Sequence, residues 1–176
     1  VYTTSFSGGM IIDRFVKVRF GVAYRYYQHY HDYIRLMEYE KYVDRPVSNS
    51  SNVYVFLGSE FLLGHVGLDV ELGFNAFKPF YRQFHHDFEP KNSSSFNYWS
   101  KQLFSQRLGI NGYLFNTVKN PVHNVALGAH INANFGQADF SEISLVYMCT
   151  IPRKKTEKKK QQKQHPVAGS SMPRVN

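Results

Sequence analysis

A two-residue period runs through most of this chain and constrains its fold more than any other feature. From Phe15 the even positions read Val16, Val18, Phe20, Val22, Tyr24 and Tyr26, and the odd ones Lys17, Arg19, Gly21, Ala23 and Arg25. After Gly64-His65 the contrast sharpens: Val66, Leu68, Val70, Leu72, Phe74 and Ala76 alternate with Gly67, Asp69, Glu71, Gly73 and Asn75. Over 103–115, Phe104, Leu108, Ile110 and Leu114 oppose Ser105, Arg107, Gly109 and Asn111. Over 122–135, Val125, Leu127, Ala129, Ile131, Ala133 and Phe135 oppose Asn124, Gly128, His130, Asn132 and Asn134. Successive side chains of a strand point to opposite faces, so each run is a strand with one apolar and one polar face. Residues 53–64 and 139–151 alternate less strictly but are equally rich in β-formers, and no interior stretch carries a convincing helical period. The expected class is all-β.

The runs are about 12–15 residues long, whereas globular strands have about 5–6 and a tilted bilayer-spanning strand needs about 9–11. Connections alternate between long polar loops (31–52 and 81–102) and short turns (Gly64-His65 and Asn116–Pro121), the pattern of an outer-membrane barrel with its long loops outside. Residues 1–11 form a weaker strand, joined to the next through Ile12-Asp13-Arg14. Seven strands result. Bacterial single-chain barrels have even counts, so an antiparallel transmembrane β-barrel of eight strands is expected, with residues 1–151 as its domain and one N-terminal strand outside this chain. Its filled lumen would hold Lys17, Arg19, Arg25 and Arg107 with Glu60, Asp69 and Glu71, charges that must pair in so narrow a space. A soluble, lipocalin-like barrel would instead turn its apolar face inward around a ligand. Alternation alone does not say which face is wet. Strand length, loop asymmetry and the confinement of charge to one face favour the membrane.

Composition enters as a set of exclusions. The net charge is +8. Residues 152–176 hold Arg153, Lys154, Lys155, Lys158, Lys159, Lys160, Lys163 and Arg174 against Glu157 alone, so the barrel segment is close to neutral. A chain-wide basic footprint for nucleic acid is excluded. The tail is low-complexity, Lys/Gln-rich and expected to be disordered, with a charge suited to anionic headgroups. Cys149 is the only cysteine, which excludes an internal disulfide and a cysteine-rich zinc site. No apolar run reaches the ~18 residues of a transmembrane helix, but barrels escape that test. The start at Val1 shows no charged-then-apolar leader, so any signal peptide is expected to have been removed or to lie outside this chain. The 13 Tyr and 15 Phe suit strands and interfacial girdles; Tyr26, Tyr27, Tyr30, Phe80, Tyr98 and Trp99, near strand ends, are expected to be girdle residues. Ser48–Asn52 and Asn92-Ser93-Ser94-Ser95 are expected to be loop tips. His29, His31, His85 and His86 start the two long loops, where a metal is conceivable. They are expected to be solvated, with no metal or organic cofactor.

Several segments carry a resemblance. Phe20-Gly21-Val22-Ala23-Tyr24, Gly58-Ser59-Glu60-Phe61-Leu62-Leu63-Gly64, Val66–Phe80 with its Lys78-Pro79 exit, and Phe104-Ser105-Gln106-Arg107-Leu108-Gly109 resemble the outer-membrane acyloxyacyl hydrolase family, relatives of the PagL-type lipid A 3-O-deacylases. The hairpin Asn134-Phe135-Gly136-Gln137-Ala138-Asp139-Phe140-Ser141-Glu142-Ile143 is the most specific part. The resemblance, over about 15–151, implies an outer-membrane enzyme that hydrolyses an ester-linked acyl chain of lipid A with a serine, a histidine and an acidic residue. It implies lipopolysaccharide and outer-membrane lipids as partners. The family motif is His-x-Ser with a Glu on the next strand. His130-Ile131-Asn132 stands at the corresponding place with Glu142 downstream, so Asn132 replaces the serine. In another register Asn134 stands where histidine is common.

The last hairpin carries chemistry of its own. A tight turn at Phe135–Asp139 would set Asn132 opposite Glu142 and His130 opposite Ser144, with His130, Asn132, Asn134, Glu142 and Ser144 on one face. Ser144 is then a candidate nucleophile, His130 its base and Glu142 the orienting carboxylate. Asn132 or Asn134 would support an oxyanion. The same residues would also suit a filled lumen, bonding to one another. The alternatives to a hydrolase are a catalytically inactive outer-membrane barrel that binds or braces an envelope protein complex, and a soluble ligand carrier.

Overall fold

The computed structural model describes residues 1–88, 95–134 and 137–151. The tail from Pro152 and the loop tip Asn92-Ser93-Ser94 lie outside them. Seven strands follow one another: β1 (Tyr2–Ile12), β2 (Val16–Tyr26), β3 (Ser51–Leu63), β4 (Val66–Phe77), β5 (Phe104–Tyr113), β6 (His123–Asn134) and β7 (Gln137–Cys149). They form one antiparallel sheet in the order β1-β2-β3-β4-β5-β6-β7, curled into a half-barrel. Two turns explain the tight end. Asp13 (φ 48) and Arg14 (φ 65) are both left-handed, and the Phe15 N–H donates to the Ile12 carbonyl at 3.1 Å. This type I′ turn twists in the same sense as the flanking strands. At Leu63-Gly64-His65-Val66 the left-handed residue is Gly64 (φ 71).

The period of two becomes a separation of inside from outside. On β4, Gly67, Asp69, Glu71, Gly73 and Asn75 are buried, while Val66, Leu68, Val70, Leu72 and Phe74 are exposed. β2 repeats this with Arg19, Gly21, Ala23 and Arg25 inside and Phe20, Val22 and Tyr24 outside. The sheet is therefore inverted relative to a soluble barrel, with Phe20 63% exposed and Asp69 0%. Both open edges are less covered: β1 and β7 run in the same direction and are not paired with each other. The side chains of Thr3 and Glu142 nevertheless meet across the curl at 3.4 Å.

Two apolar clusters close the interior. At the tight end, Leu62, Tyr113 and Ala126 pack with Ile11, Val146 and Met148. At the other end the long connections, expected as plain loops, contain helices: α1 (Gln28–Leu36), α2 (Glu40–Val43), α3 (Pro46–Asn49), α4 (Tyr81–Phe88) and α5 (Ser95–Leu103). They bury Tyr27, Tyr30, Ile34, Tyr42 and Phe80 in an aromatic cap with Tyr33, Tyr39, Phe84 and Phe140. Tyr27, Tyr30 and Phe80 are thus cap residues and not girdle residues, because the helices fold them inward. Ser48–Asn52 is not a loop tip either. Ser48 and Asn49 end α3, and Ser50, Ser51 and Asn52 are buried where β3 begins.

Candidate active site on the inner face

The charged middle layer is built from β2, β3, β4, β5 and β6. Near the tight end, Glu60 accepts from Lys17 Nζ at 3.0 Å, Asn111 Nδ2 at 2.8 Å and Tyr113 Oη at 2.7 Å. Farther in, Arg19 Nη2 donates to both Asp69 oxygens at 2.8 and 2.7 Å and to Glu71 at 3.0 Å. Arg107 reaches Glu71 at 3.5 Å, with its Nε 3.8 Å from Glu142. Below the cap, Arg25 donates to Asn132 Oδ1 at 2.7 Å and Tyr54 Oη at 3.0 Å and lies over the rings of Tyr54 and Phe140. The expected lumen charges therefore share one face; Lys17, Arg19 and Arg107 pair there with carboxylates, while Arg25 is held by neutral partners.

His130 occupies a slot made by two glycines. Gly109 is its cross-strand partner on β5, and Gly128 precedes it by two residues on the same face of β6. A Cβ on Gly109 would fall 2.1 Å from His130 Cδ2, and one on Gly128 2.4 Å from His130 Cε1 and 2.6 Å from Ser144 Oγ. Arg107 Nη2 is 3.3 Å from Nδ1 and 3.0 Å from Nε2. A position so nearly equidistant lies over the ring face, since in the ring plane the nitrogen would overlap Cε1. The two ring nitrogens also have other neighbours: Ser144 Oγ lies 3.3 Å from Nδ1, and Asp69 Oδ2 lies 3.5 Å from Nε2. The result is a serine–histidine–aspartate line drawn from β7, β6 and β4.

This arrangement keeps Ser144 beside His130 but changes the carboxylate. The hairpin register is shifted by two residues from the expected one: Glu142 is opposite His130, Ser144 opposite Gly128 and Asn132 opposite Phe140. The cause is that pairing continues to Asn134↔Gln137, inside the expected Phe135–Asp139 turn, which moves the register by three, and the irregularity at Asn132/Ala133, where Asp139 is left over, restores one. An even shift preserves each face, so Ser144 still reaches His130, now diagonally. Glu142 instead accepts from Asn132 Nδ2 at 3.1 Å and Thr3 Oγ1 at 3.4 Å. The Asn132 amide is thus spanned between Arg25 and Glu142. Asn134 lies at the end of β6, and its side chain and the turn 135–136 are outside the described residues. Sequence reasoning placed Asp69 in the lumen without linking it to His130. The available signal was Gly109, a glycine on the polar face one strand away.

The loop histidines do not converge. His29 lies edge-on to Tyr30 and Phe84, and His31 is 3.3 Å from Asp32. Among the described residues no group of three His, Cys, Asp or Glu is placed to hold a metal. No helix among them is long and apolar enough to cross a membrane. Comparison of the chain with protein-family models, curated proteins and solved structures found no match.

Proposed function

We propose that this chain is the greater part of an eight-stranded β-barrel of the bacterial outer membrane, of the lipid A deacylase type, acting as a serine esterase on an ester-linked acyl chain of lipopolysaccharide. The observation that carries the chemistry is the Ser144–His130–Asp69 line inside an inverted sheet. His130 takes the Ser144 proton at Nδ1 as the oxygen attacks the ester carbonyl. Asp69, held by Arg19, faces the Nε2–H and stabilises the imidazolium. The alcohol leaves with the proton from His130, and water releases the fatty acid from Ser144.

The membrane part rests on the outer wall. Soluble monomers rarely expose contiguous apolar patches beyond roughly a few hundred Å², whereas here every strand from β2 to β7 turns apolar side chains outward. Outside a bilayer that surface would aggregate. The eighth strand is supported by the edges. β1 and β7 run in the same direction, so one intervening strand can be antiparallel to both. The two edges meet only through the side chains of Thr3 and Glu142, with no backbone pairing between them.

A second reading, an inactive barrel that binds or braces an envelope complex, is favoured by the placing of the serine. Ser144 faces inward, nearer the Cys149 end of β7 than the long-loop end, and Arg107 over the His130 ring opposes a positive imidazolium. Incubating detergent-folded protein with lipid A and weighing the products separates the readings. Loss of one acyl chain by wild type, and not by Ser144→Ala, His130→Ala or Asp69→Asn, supports the esterase. Intact lipid A with folded wild type favours the inactive barrel.

A further inference from the structure

On the opposite flank from β7, the outer wall carries a groove of about 620 Å³ at the long-loop end, within the size range of ligand pockets. Its wall is Tyr24, Val53 and Phe77, from the ends of β2, β3 and β4 nearest the long loops, and its roof is Arg45, Val47 and Ser48 from the segment around α3. The roof is pinned. Ser51 Oγ donates to the Val47 carbonyl at 2.7 Å, Ser50 Oγ donates to Pro46 at 2.7 Å, and the Tyr24 hydroxyl therefore donates to Ser51 Oγ, also at 2.7 Å. Arg45 is exposed, and among the described residues no carboxylate pairs with its guanidinium, although Asp44 is its sequence neighbour. An apolar row of cross-strand partners, Tyr24, Val53 and Phe77, under a guanidinium that no carboxylate among the described residues pairs with, has the polarity of an amphiphile.

We infer that this groove binds one anionic membrane lipid, its hydrocarbon chain along Tyr24, Val53 and Phe77 and its phosphate on Arg45. The inference rests on the barrel reading, which puts this end of the wall at the headgroup level of the outer leaflet. It is independent of the Ser144–His130–Asp69 line, which faces the other side of the sheet. A guanidinium meets phosphate with paired N–H donors, and the apolar wall supplies the remaining affinity through burial of methylenes.

The test is titration of monododecyl phosphate into the full chain folded in a nonionic detergent, read by native mass spectrometry. One equivalent should bind to wild type. Arg45→Gln should weaken it about tenfold, the loss of one charged hydrogen-bonding partner, and Val53→Trp should do so by filling the trough. Arg82→Gln, exposed on α4, should leave binding unchanged, and inorganic phosphate at the same concentration should not compete. Equal binding by wild type and Arg45→Gln, or full competition by inorganic phosphate, overturns the groove. A chain that gives no heat-modifiable folded band in detergent overturns the barrel reading and the groove with it. A folded chain that ignores monododecyl phosphate overturns the groove alone.

Discussion

Two buried carboxylate centres lie on the same inner face and differ in what surrounds them. Glu60 meets one cation, Lys17, and two neutral donors, Asn111 and Tyr113, and the set ends there. Asp69 meets Arg19 with both oxygens and then His130, which leads on to Ser144. The first ties one carboxylate to three donors, which fixes the packing of β2, β3 and β5. The second leaves a histidine between an acid and a hydroxyl, the arrangement that nucleophilic catalysis requires. A filled lumen is therefore not chemically uniform; one layer of it is structural and the next is able to react.

The sharpest way to break this contrast is kinetic. His130→Ala should lower acyl release from lipid A by about 10²–10⁴-fold, while Glu60→Gln leaves it within a few-fold, as measured by mass spectrometry of the products over time. Equal losses in both variants would make the two centres alike. Gly128→Ala comes next. Its new Cβ falls on His130 Cε1, Asn111 Oδ1 and Ser144 Oγ, so these side chains must part, and a displacement on the order of 1 Å costs about 10²-fold in rate. The fold should survive this change because the neighbours are side-chain ends.

Stability reverses the order. Glu60→Ala leaves a half-buried Lys17 and the donors of Asn111 and Tyr113 without their acceptor and should cost about 3–5 kcal/mol in urea unfolding from detergent. A smaller effect isolates a buried charge that no carboxylate touches among the described residues. Lys78, just past β4, is 6% exposed, donates to the Lys101 carbonyl at 3.0 Å and lies over the Tyr81 ring. Burial pushes it down to about 8 from its usual 10.5, with Arg25 and Lys101 adding to the effect and Asp139 opposing it. Between those values the unfolded chain binds more protons than the folded one, so stability should rise with pH, by on the order of 1–3 kcal/mol from pH 8 to 10.5. Lys78→Met should be more stable at pH 7 and lose that rise. A pH-independent wild type would show that the lysine is solvated.

The helices in the long connections went unread for a local reason. Tyr27 and the residues before α2 and α3 offer no side-chain cap, and the start signals that are present, Glu40 in α2 and Pro46 in α3, open helices of only four residues. Tyr30 and Ile34, and Phe80, Phe84 and Phe88, do recur at helical spacing, but each stripe spans only two or three turns. The hairpin register is illegible for a different reason: pairing continues to Asn134↔Gln137 and one residue, Asp139, is then left over, and neither leaves a mark in an alternating pattern.

What the sequence alone determined is each strand, its two faces and the sharp turns at Asp13-Arg14 and Gly64. These follow from the period of the pleat and from φ preferences, which act between near neighbours. Only the tertiary structure decided that His130 meets Asp69 and not Glu142, and that the aromatic loop residues turn inward as a cap. Those outcomes depend on curl and register summed over β4, β5, β6 and β7. Strand pairing sets which side chains lie within hydrogen-bonding reach, and no local pattern encodes a partner two strands away.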